Sequence, residues 1–293
     1  HPEENCAMIH DFTLIQKQNR LEEILREMGS TAVAYSSGVD STYLLYEAHK
    51  VLGERAFAVT AVSCFFPQRE SEEAENFCRS RGIRHLILTI DELEIPGIRQ
   101  NPQNRCYLCK STLFSCLKQT AADEGTAFVS EGSNLDDLGD YRPGLKALAE
   151  LGIRSPLREA GLTKTDIRAL SQEAGLPTWS KPSFACLASR FVYGETITKE
   201  KLAMVEAAEE YLISLGFQQL RVRIHGNMAR IELEPDAMKR VFKDNMAEQI
   251  DHKLRELGFS YVSLDLRGYR MGSMNAGIEE LRQVISRSES LML

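Results

Sequence analysis

Apolar residues in this chain alternate between short continuous runs and helical stripes. A stripe through Leu14, Leu21, Ile24, Leu25 and Met28 stops at Gly29, and the apolar run Thr31–Tyr35 follows as a buried strand. After a polar turn, Leu44, Leu45, Ala48, Val51 and Leu52 share one stripe, which predicts a helix. The alternation continues with a strand at Ala56–Ser63, an acidic helix around Ser71–Arg81, a strand at His85–Ile90, a helix from Arg105 to Ala122 and a strand at Ala127–Ser130. A further short strand is expected around Ile153–Leu157. A helix opened by Thr163 and Thr165-Asp166 and closed by Gly175-Leu176-Pro177 comes next. Strands alternating with helices predict an α/β fold, a doubly wound parallel sheet with helices on both faces. Ligands of such sheets sit at the carboxyl ends of the strands.

The pattern changes after Pro177. Residues 177–197 carry little periodicity, and beyond them come a helix (Lys199–Leu215), a strand pair (Leu220–His225 and Met228–Leu233), a long helix (Asp236–Leu257) and a strand (Ser260–Leu266). His225-Gly226-Asn227 is good hairpin chemistry between the paired strands. This order predicts a smaller C-terminal α+β domain, which divides the chain into residues 1–190 and 191–293.

The stretch Ala34-Tyr35-Ser36-Ser37-Gly38-Val39-Asp40-Ser41-Thr42 joins a strand to a helix N-terminus, a geometry that collects anions. Ser36, Ser37 and Ser41 offer hydroxyls, and Gly38 allows close approach of the backbone to a phosphate. Asp40 beside such a site makes sense when Mg²⁺ lies between carboxylate and phosphate. Taken alone, the six residues Ser36–Ser41 also fit an ordinary serine-rich helix start. Neither G-x-x-x-x-G-K-[ST] nor G-x-G-x-x-G occurs in the chain.

Composition narrows the functional classes. A formal charge of −7 argues against broad nucleic-acid binding but not against a local anion site. No apolar run is long enough to span a bilayer, and the first residues lack the character of a signal peptide, so the cytoplasm is the expected setting. Seven cysteines cannot all pair in disulfides, and their spacing is more informative than their number.

Three further groups carry candidate chemistry. Gly132-Ser133-Asn134-Leu135-Asp136-Asp137, followed by Asp140-Tyr141-Arg142, puts carboxylates and an arginine after a strand, which suits a metal-bridged triphosphate or a plain solvated acidic turn. Cys106 and Cys109 lie on one face of a predicted helix. With Cys186 they make three thiolates, a set that fits an iron–sulfur cube with one open iron; a redox pair or two buried thiols also explain the Cys-x-x-Cys alone. Arg221 and Arg223 alternate along one strand and so share a face. With Ser189, Arg190, His225 and Glu209 they would hold a phosphate or carboxylate, unless the strand is simply solvent-facing.

Ser36–Ser41 resembles S-G-G-x-D-S, the pyrophosphate loop (PP-loop) of the ATP pyrophosphatases, with Ser37 standing at the first glycine. That superfamily splits ATP into AMP and pyrophosphate while adenylylating a substrate. The loop, Asp140-Tyr141-Arg142-Pro143-Gly144-Leu145-Lys146-Ala147, Cys186-x-x-Ser189-Arg190-Phe191-x-Tyr193-Gly194 and Arg221-Val222-Arg223-x-His225 occur in this order. Together they resemble the LarE family of ATP-dependent sulfur transferases, which mature the nickel-pincer cofactor of lactate racemase. The resemblance implies a PP-loop domain over 1–190 and a substrate-binding or oligomerisation domain over 191–293. It implies that Ser36, Ser37, Gly38, Asp40 and Ser41 hold the phosphates of ATP with Mg²⁺, and that Ser63 and Gly132 line the adenosine. Ser189, Arg190, Glu209, Arg221 and Arg223 would bind the substrate, pyridinium-3,5-biscarboxylic acid mononucleotide.

Family members take sulfur either from one sacrificial cysteine, here Cys186, or through a [4Fe–4S] cluster on three cysteines. Cys106, Cys109 and Cys186 resemble the second type, with Cys186 and Asp40 as catalytic residues. The resemblance further implies a homo-oligomer, with the sulfur donor left open. A tRNA thiolase of the same superfamily and a non-catalytic nucleotide or iron–sulfur sensor are the rivals, and the negative charge speaks against the first.

Overall fold

The computed structural model describes residues 2–139, 143–182 and 185–270, so Asp140, Tyr141 and Arg142 lie outside the described residues. The chain forms two compact units, one of residues 1–98 with 103–184, the other of residues 99–102 with the chain from Ala185 onward. The return of Arg99–Pro102 to the second unit has no sequence signal. There, Asn101 Nδ2 donates to the carbonyls of Phe191 (3.2 Å) and Val192 (2.6 Å).

The first unit is built on four strands, β1 (Thr31–Ala34), β2 (Ala56–Val62), β3 (His85–Thr89) and β4 (Val129–Ser130), all parallel in the order β3-β2-β1-β4. Alternation along the strands gives each face its own core. Val33, Ala56 and Ala58 pack with Leu44, Leu45, Ala48, Phe77 and Ile167. Ala32, Phe57, Val59 and Val129 pack with Phe114, Leu117 and Leu148. Helices therefore cover both faces, and the fold is the doubly wound α/β sheet that the pattern predicts. β1 continues to β2 on one side while β4 pairs on its other side. The carboxyl ends of β1 and β4 thus form the switch point, where diverging loops leave a crevice.

Two expected elements take other forms. The strand anticipated at Ile153–Leu157 shrinks to one bridge between Arg154 and Ser130, because Pro156 starts a short helix, Pro156–Glu159. In the second unit the helix anticipated over Asp236–Leu257 is two helices, Pro235–Val241 and Met246–Glu256. Asp244 and Asn245 between them are left-handed (φ 52° and 59°), a conformation that Asn and Asp tolerate best among non-glycine residues.

The strand pair lies where expected, β5 (Leu220–His225) antiparallel to β6 (Met228–Leu233). β7 (Tyr261–Leu264) pairs parallel to β6, a connection that needs a crossover and here uses the two helices. Helix Lys199–Ser214 packs on this three-stranded sheet through Leu202, Val205, Ala208 and Leu212. No helix among the described residues is long and apolar enough to cross a membrane.

Candidate functional site

In the first unit the switch point is occupied by the two polar turns. Helix Val39–Leu52 begins at Gly38, which has no side chain with which to cap the first amides. The serine hydroxyls arrange the turn instead. Ser41 Oγ accepts from the Ser36 amide (3.3 Å), lies 3.2 Å from Ser36 Oγ and donates to the Gly38 carbonyl (3.3 Å). Ser37 is buried and left-handed (φ 53°), which explains why the related pattern carries glycine there. Its Oγ donates to Glu70 Oε2 (2.7 Å), and Lys181 Nζ donates to both its carbonyl and its hydroxyl (3.1 Å each). Lys181 is in turn paired with Glu70 (2.7 Å) and Glu73 (2.5 Å).

The loop after β4 presses on this turn. A Cβ on Gly132 would stand 2.9 Å from the Ser41 amide nitrogen and 3.2 Å from Asp40 Cβ. Only glycine lets the two loops meet so closely. Asn134 then holds the acidic turn: its Oδ1 accepts from the Asp136 amide and its own amide donates to Asp137 Oδ2 (2.9 Å each). Asn134 Nδ2 also approaches Asp40 Oδ1 (3.5 Å), and Lys164 Nζ pairs with Asp40 Oδ2. Burial pushes the Asp40 carboxyl up; Lys164 and Asn134 oppose the rise, and the nearby Asp137 adds to it.

Ser63 stands just past β2. Its Oγ donates to Glu92 Oε1 (2.7 Å), and burial pushes the Glu92 carboxyl up. Cys106 (exposed) and Cys109 (half-buried) fall within the first five residues of helix Arg105–Asp123.

In the second unit, Cys186 precedes a 3₁₀ turn, Leu187–Arg190. Arg190 is fully buried and forms a two-pronged pair with Glu209, Nε to Oε1 and Nη2 to Oε2, each 2.8 Å. Its remaining nitrogen donates to Ala185 O (2.7 Å), Cys186 O (3.2 Å) and Ser189 Oγ (2.9 Å), so the backbone around the thiol is pinned on both sides. Burial works against the charge on Glu209, yet Arg190 holds its carboxyl below the usual range. Arg223 donates to Ser189 O (2.8 Å) and Glu232 Oε2 (3.0 Å). Arg221 is buried, lies over the Tyr269 ring (5.1 Å) and is pushed down to about 10 by burial and by Arg190. Among the described residues, the buried arginines Arg190, Arg221 and Arg223 and the buried carboxylates Glu209 and Glu232 share this cluster.

The nominated residues fall into two sets. Ser36, Ser37, Gly38, Asp40, Ser41 and Gly132 come together in the first unit. Ser189, Arg190, Glu209 and Arg223 come together in the second, with Arg221 close enough to Arg190 to lower its pKa. Cys106 and Cys109 belong to the first unit and Cys186 to the second, and the described residues contain no assembled group of three or more metal-ligating side chains.

No protein-family model matches the chain. It is 43% identical over 267 residues to the pyridinium-3,5-bisthiocarboxylic acid mononucleotide synthase of Lactiplantibacillus plantarum, covering 90% of this chain and 95% of that one. The chain belongs to this synthase family. It is also 44% identical to an uncharacterized protein of Synechocystis sp. over 89% of this chain and 98% of that one. A more distant likeness, 24% over 66% of each chain, is to one subunit of the glutamine-hydrolysing GMP synthase of Thermoplasma volcanium, a PP-loop protein.

Several residues that hold the serine turn and its neighbouring loop carry no signal in the sequence. Lys181 sits in the segment of little periodicity, Glu73 in the acidic helix around Ser71–Arg81, and Glu70 just before it. Lys164 did leave a trace. It is the first residue of a helix whose capping box (Thr163 and Asp166) is complete, and a cation there opposes the helix dipole.

Proposed function

We propose that the chain is an ATP-dependent sulfur transferase that converts the carboxylates of pyridinium-3,5-biscarboxylic acid mononucleotide to thiocarboxylates. The observation that carries this reading is the meeting of the serine turn, Gly132 and Asp40 at the sheet's switch point, in a chain so similar to a named synthase. The turn and the uncapped amides of helix Val39–Leu52 take the ATP phosphates. A carboxylate oxygen of the substrate attacks the α-phosphorus, the bond to the β-phosphate breaks, and its electron pair leaves with pyrophosphate. The amides and hydroxyls stabilise the charge that grows there. Sulfur then attacks the acyl carbon and AMP departs, so one difficult displacement becomes two easier ones.

The Asp40 carboxylate already draws a cation, the Lys164 ammonium, so its chemistry fits Mg²⁺, which would neutralise the triphosphate. Arg221 and Arg223 would take the phosphate of the mononucleotide, while the Arg190–Glu209 pair sets the backbone around Cys186. The three-cysteine pattern supports a [4Fe–4S] cluster on Cys106, Cys109 and Cys186; when bound, it supplies an open iron that can carry the sulfur to be transferred. Such chemistry suits a reducing, cytoplasmic setting.

Pyrophosphate release, thiocarboxylate formation and iron and sulfide content in anaerobically purified protein test this reading together. Asp40→Ala is expected to abolish pyrophosphate release. Cys106→Ala is expected to retain pyrophosphate release but lose thiocarboxylate and iron. Thiocarboxylate made at the parent rate by Cys106→Ala, with dehydroalanine appearing at Cys186, would assign the sulfur to Cys186 itself. Release stimulated by tRNA and not by the mononucleotide would point to a tRNA thiolase.

A further inference from the structure

Lys164 is a cation at a position where the local helix gives no reason for one. It opens helix Lys164–Glu173, and its own amide donates to Asp136 Oδ2 (2.8 Å), so the backbone is tied to the acidic turn after β4. From that fixed point the side chain crosses to the loop after β1 and pairs with Asp40. This is not a buried structural bridge, because the Lys164 and Asp40 side chains keep 31% and 22% of their surface exposed. Asp137 adds negative potential to the same spot.

The pairing creates a conflict once the site is loaded. The Asp40 carboxylate is the group placed to take Mg²⁺, and an ammonium and a divalent cation cannot share its oxygens without strong repulsion. A lysine is a compact charge on a flexible stem, so it can move while its backbone stays tied. The negative groups that Mg·ATP brings into this crevice are the β- and γ-phosphates.

We propose that Lys164 serves two partners in turn, neutralising Asp40 in the nucleotide-free protein and moving onto the β,γ-phosphates when Mg·ATP takes the carboxylate. There it faces the oxygens that receive the electron pair when the α–β bond breaks, which makes Lys164 a catalytic residue for pyrophosphate departure. The assignment rests on the nucleotide reading of the loop given above.

The two roles predict opposite shifts in two binding measurements. Lys164→Met removes the cation that competes for Asp40, so Mn²⁺ alone, followed by electron paramagnetic resonance, is expected to bind about tenfold tighter than to the parent protein. The affinity for Mg·ATP, measured by calorimetry, is expected to fall about tenfold. Pyrophosphate release with the pyridinium substrate is expected to fall about a hundredfold or more. Lys164→Gln, which keeps a polar head, is expected to behave alike and serves if the methionine variant folds poorly.

Affinities for Mn²⁺ and Mg·ATP that move in the same direction would overturn the exchange, because a purely structural lysine shifts both together. Pyrophosphate release equal to that of the parent would overturn the catalytic role. Failure of the parent protein itself to bind Mg·ATP would instead overturn the nucleotide reading of the loop, and the Lys164 assignment with it.

Discussion

The two units treat charge in opposite ways. Around the serine turn of the first unit two lysines, Lys164 and Lys181, each sit on a carboxylate and stay partly open to water, and Arg69 lies 3.7 Å from Glu70. Around Cys186 in the second unit they are arginines, Arg190, Arg221 and Arg223, buried within the fold. Lysine is a point charge that can change partners; the planar guanidinium fork locks into one geometry and holds it. On the function proposed above, the first cluster is one that an incoming triphosphate and its metal displace. The second is built to stay, and it holds the backbone of Cys186 as a fixed part of the fold.

Removing one member of the rigid cluster is the severest test of that contrast. Arg190→Leu leaves the Glu209 carboxylate buried without its two-pronged partner and frees the carbonyls of Ala185 and Cys186. Breaking a buried pair from one side costs about 3–5 kcal/mol, so urea unfolding is expected to show a loss of that order. A loss below about 1 kcal/mol, the range of exposed ion pairs, would place Arg190 with the exchangeable lysines and erase the distinction.

The next test concerns how tightly the first unit's loops are fitted. Gly132→Ala places a methyl group 2.9 Å from the Ser41 amide nitrogen, which is backbone and cannot swing aside. Forcing an extra carbon into such a contact costs about 1–3 kcal/mol. The strain falls on the helix N-terminus that is read as the phosphate site. Mg·ATP affinity measured by calorimetry is therefore expected to drop about tenfold or more. Unchanged affinity would mean that the two loops separate freely and that Gly132 has no part in the site.

The sequence announced the two units to unequal depth. In the first, alternation and the serine turn located the strands, the switch point and the polar turns that meet there, because an apolar run that ends in a polar turn is a local signal. What stayed hidden was the set of long-range partners. Lys181 and Glu70 lie 111 residues apart, and Glu92 meets Ser63 across 29. In the second unit the strand pair and the hairpin were readable from β5 and β6. The fate of Arg190 was not, since its partner is a glutamate on a helix whose stripe describes only its apolar face. The split of the Asp236–Leu257 stretch was missed because its apolar period continues through two left-handed residues, Asp244 and Asn245.

The smallest expected effect sharpens the comparison from the flexible side. Ser37 pays for its left-handed backbone with about 1–2 kcal/mol, which Ser37→Gly would recover. The same change deletes the hydroxyl that serves Glu70 and Lys181, a loss of about 1.5–3 kcal/mol for bonds to charged groups. Glycine also gives the unfolded chain more freedom, at about 0.4–1 kcal/mol. These contributions nearly cancel, and a net destabilisation of about 1 kcal/mol is expected in thermal or urea unfolding. Lys181 keeps its bonds to the residue-37 carbonyl, Glu70 and Glu73, so the turn stays in place and Mg·ATP affinity is expected to hold within about threefold. A loss as large as that of Arg190→Leu would show that the serine turn is locked as firmly as the arginine cluster. Exchangeable lysines would then be a wrong description of the first unit.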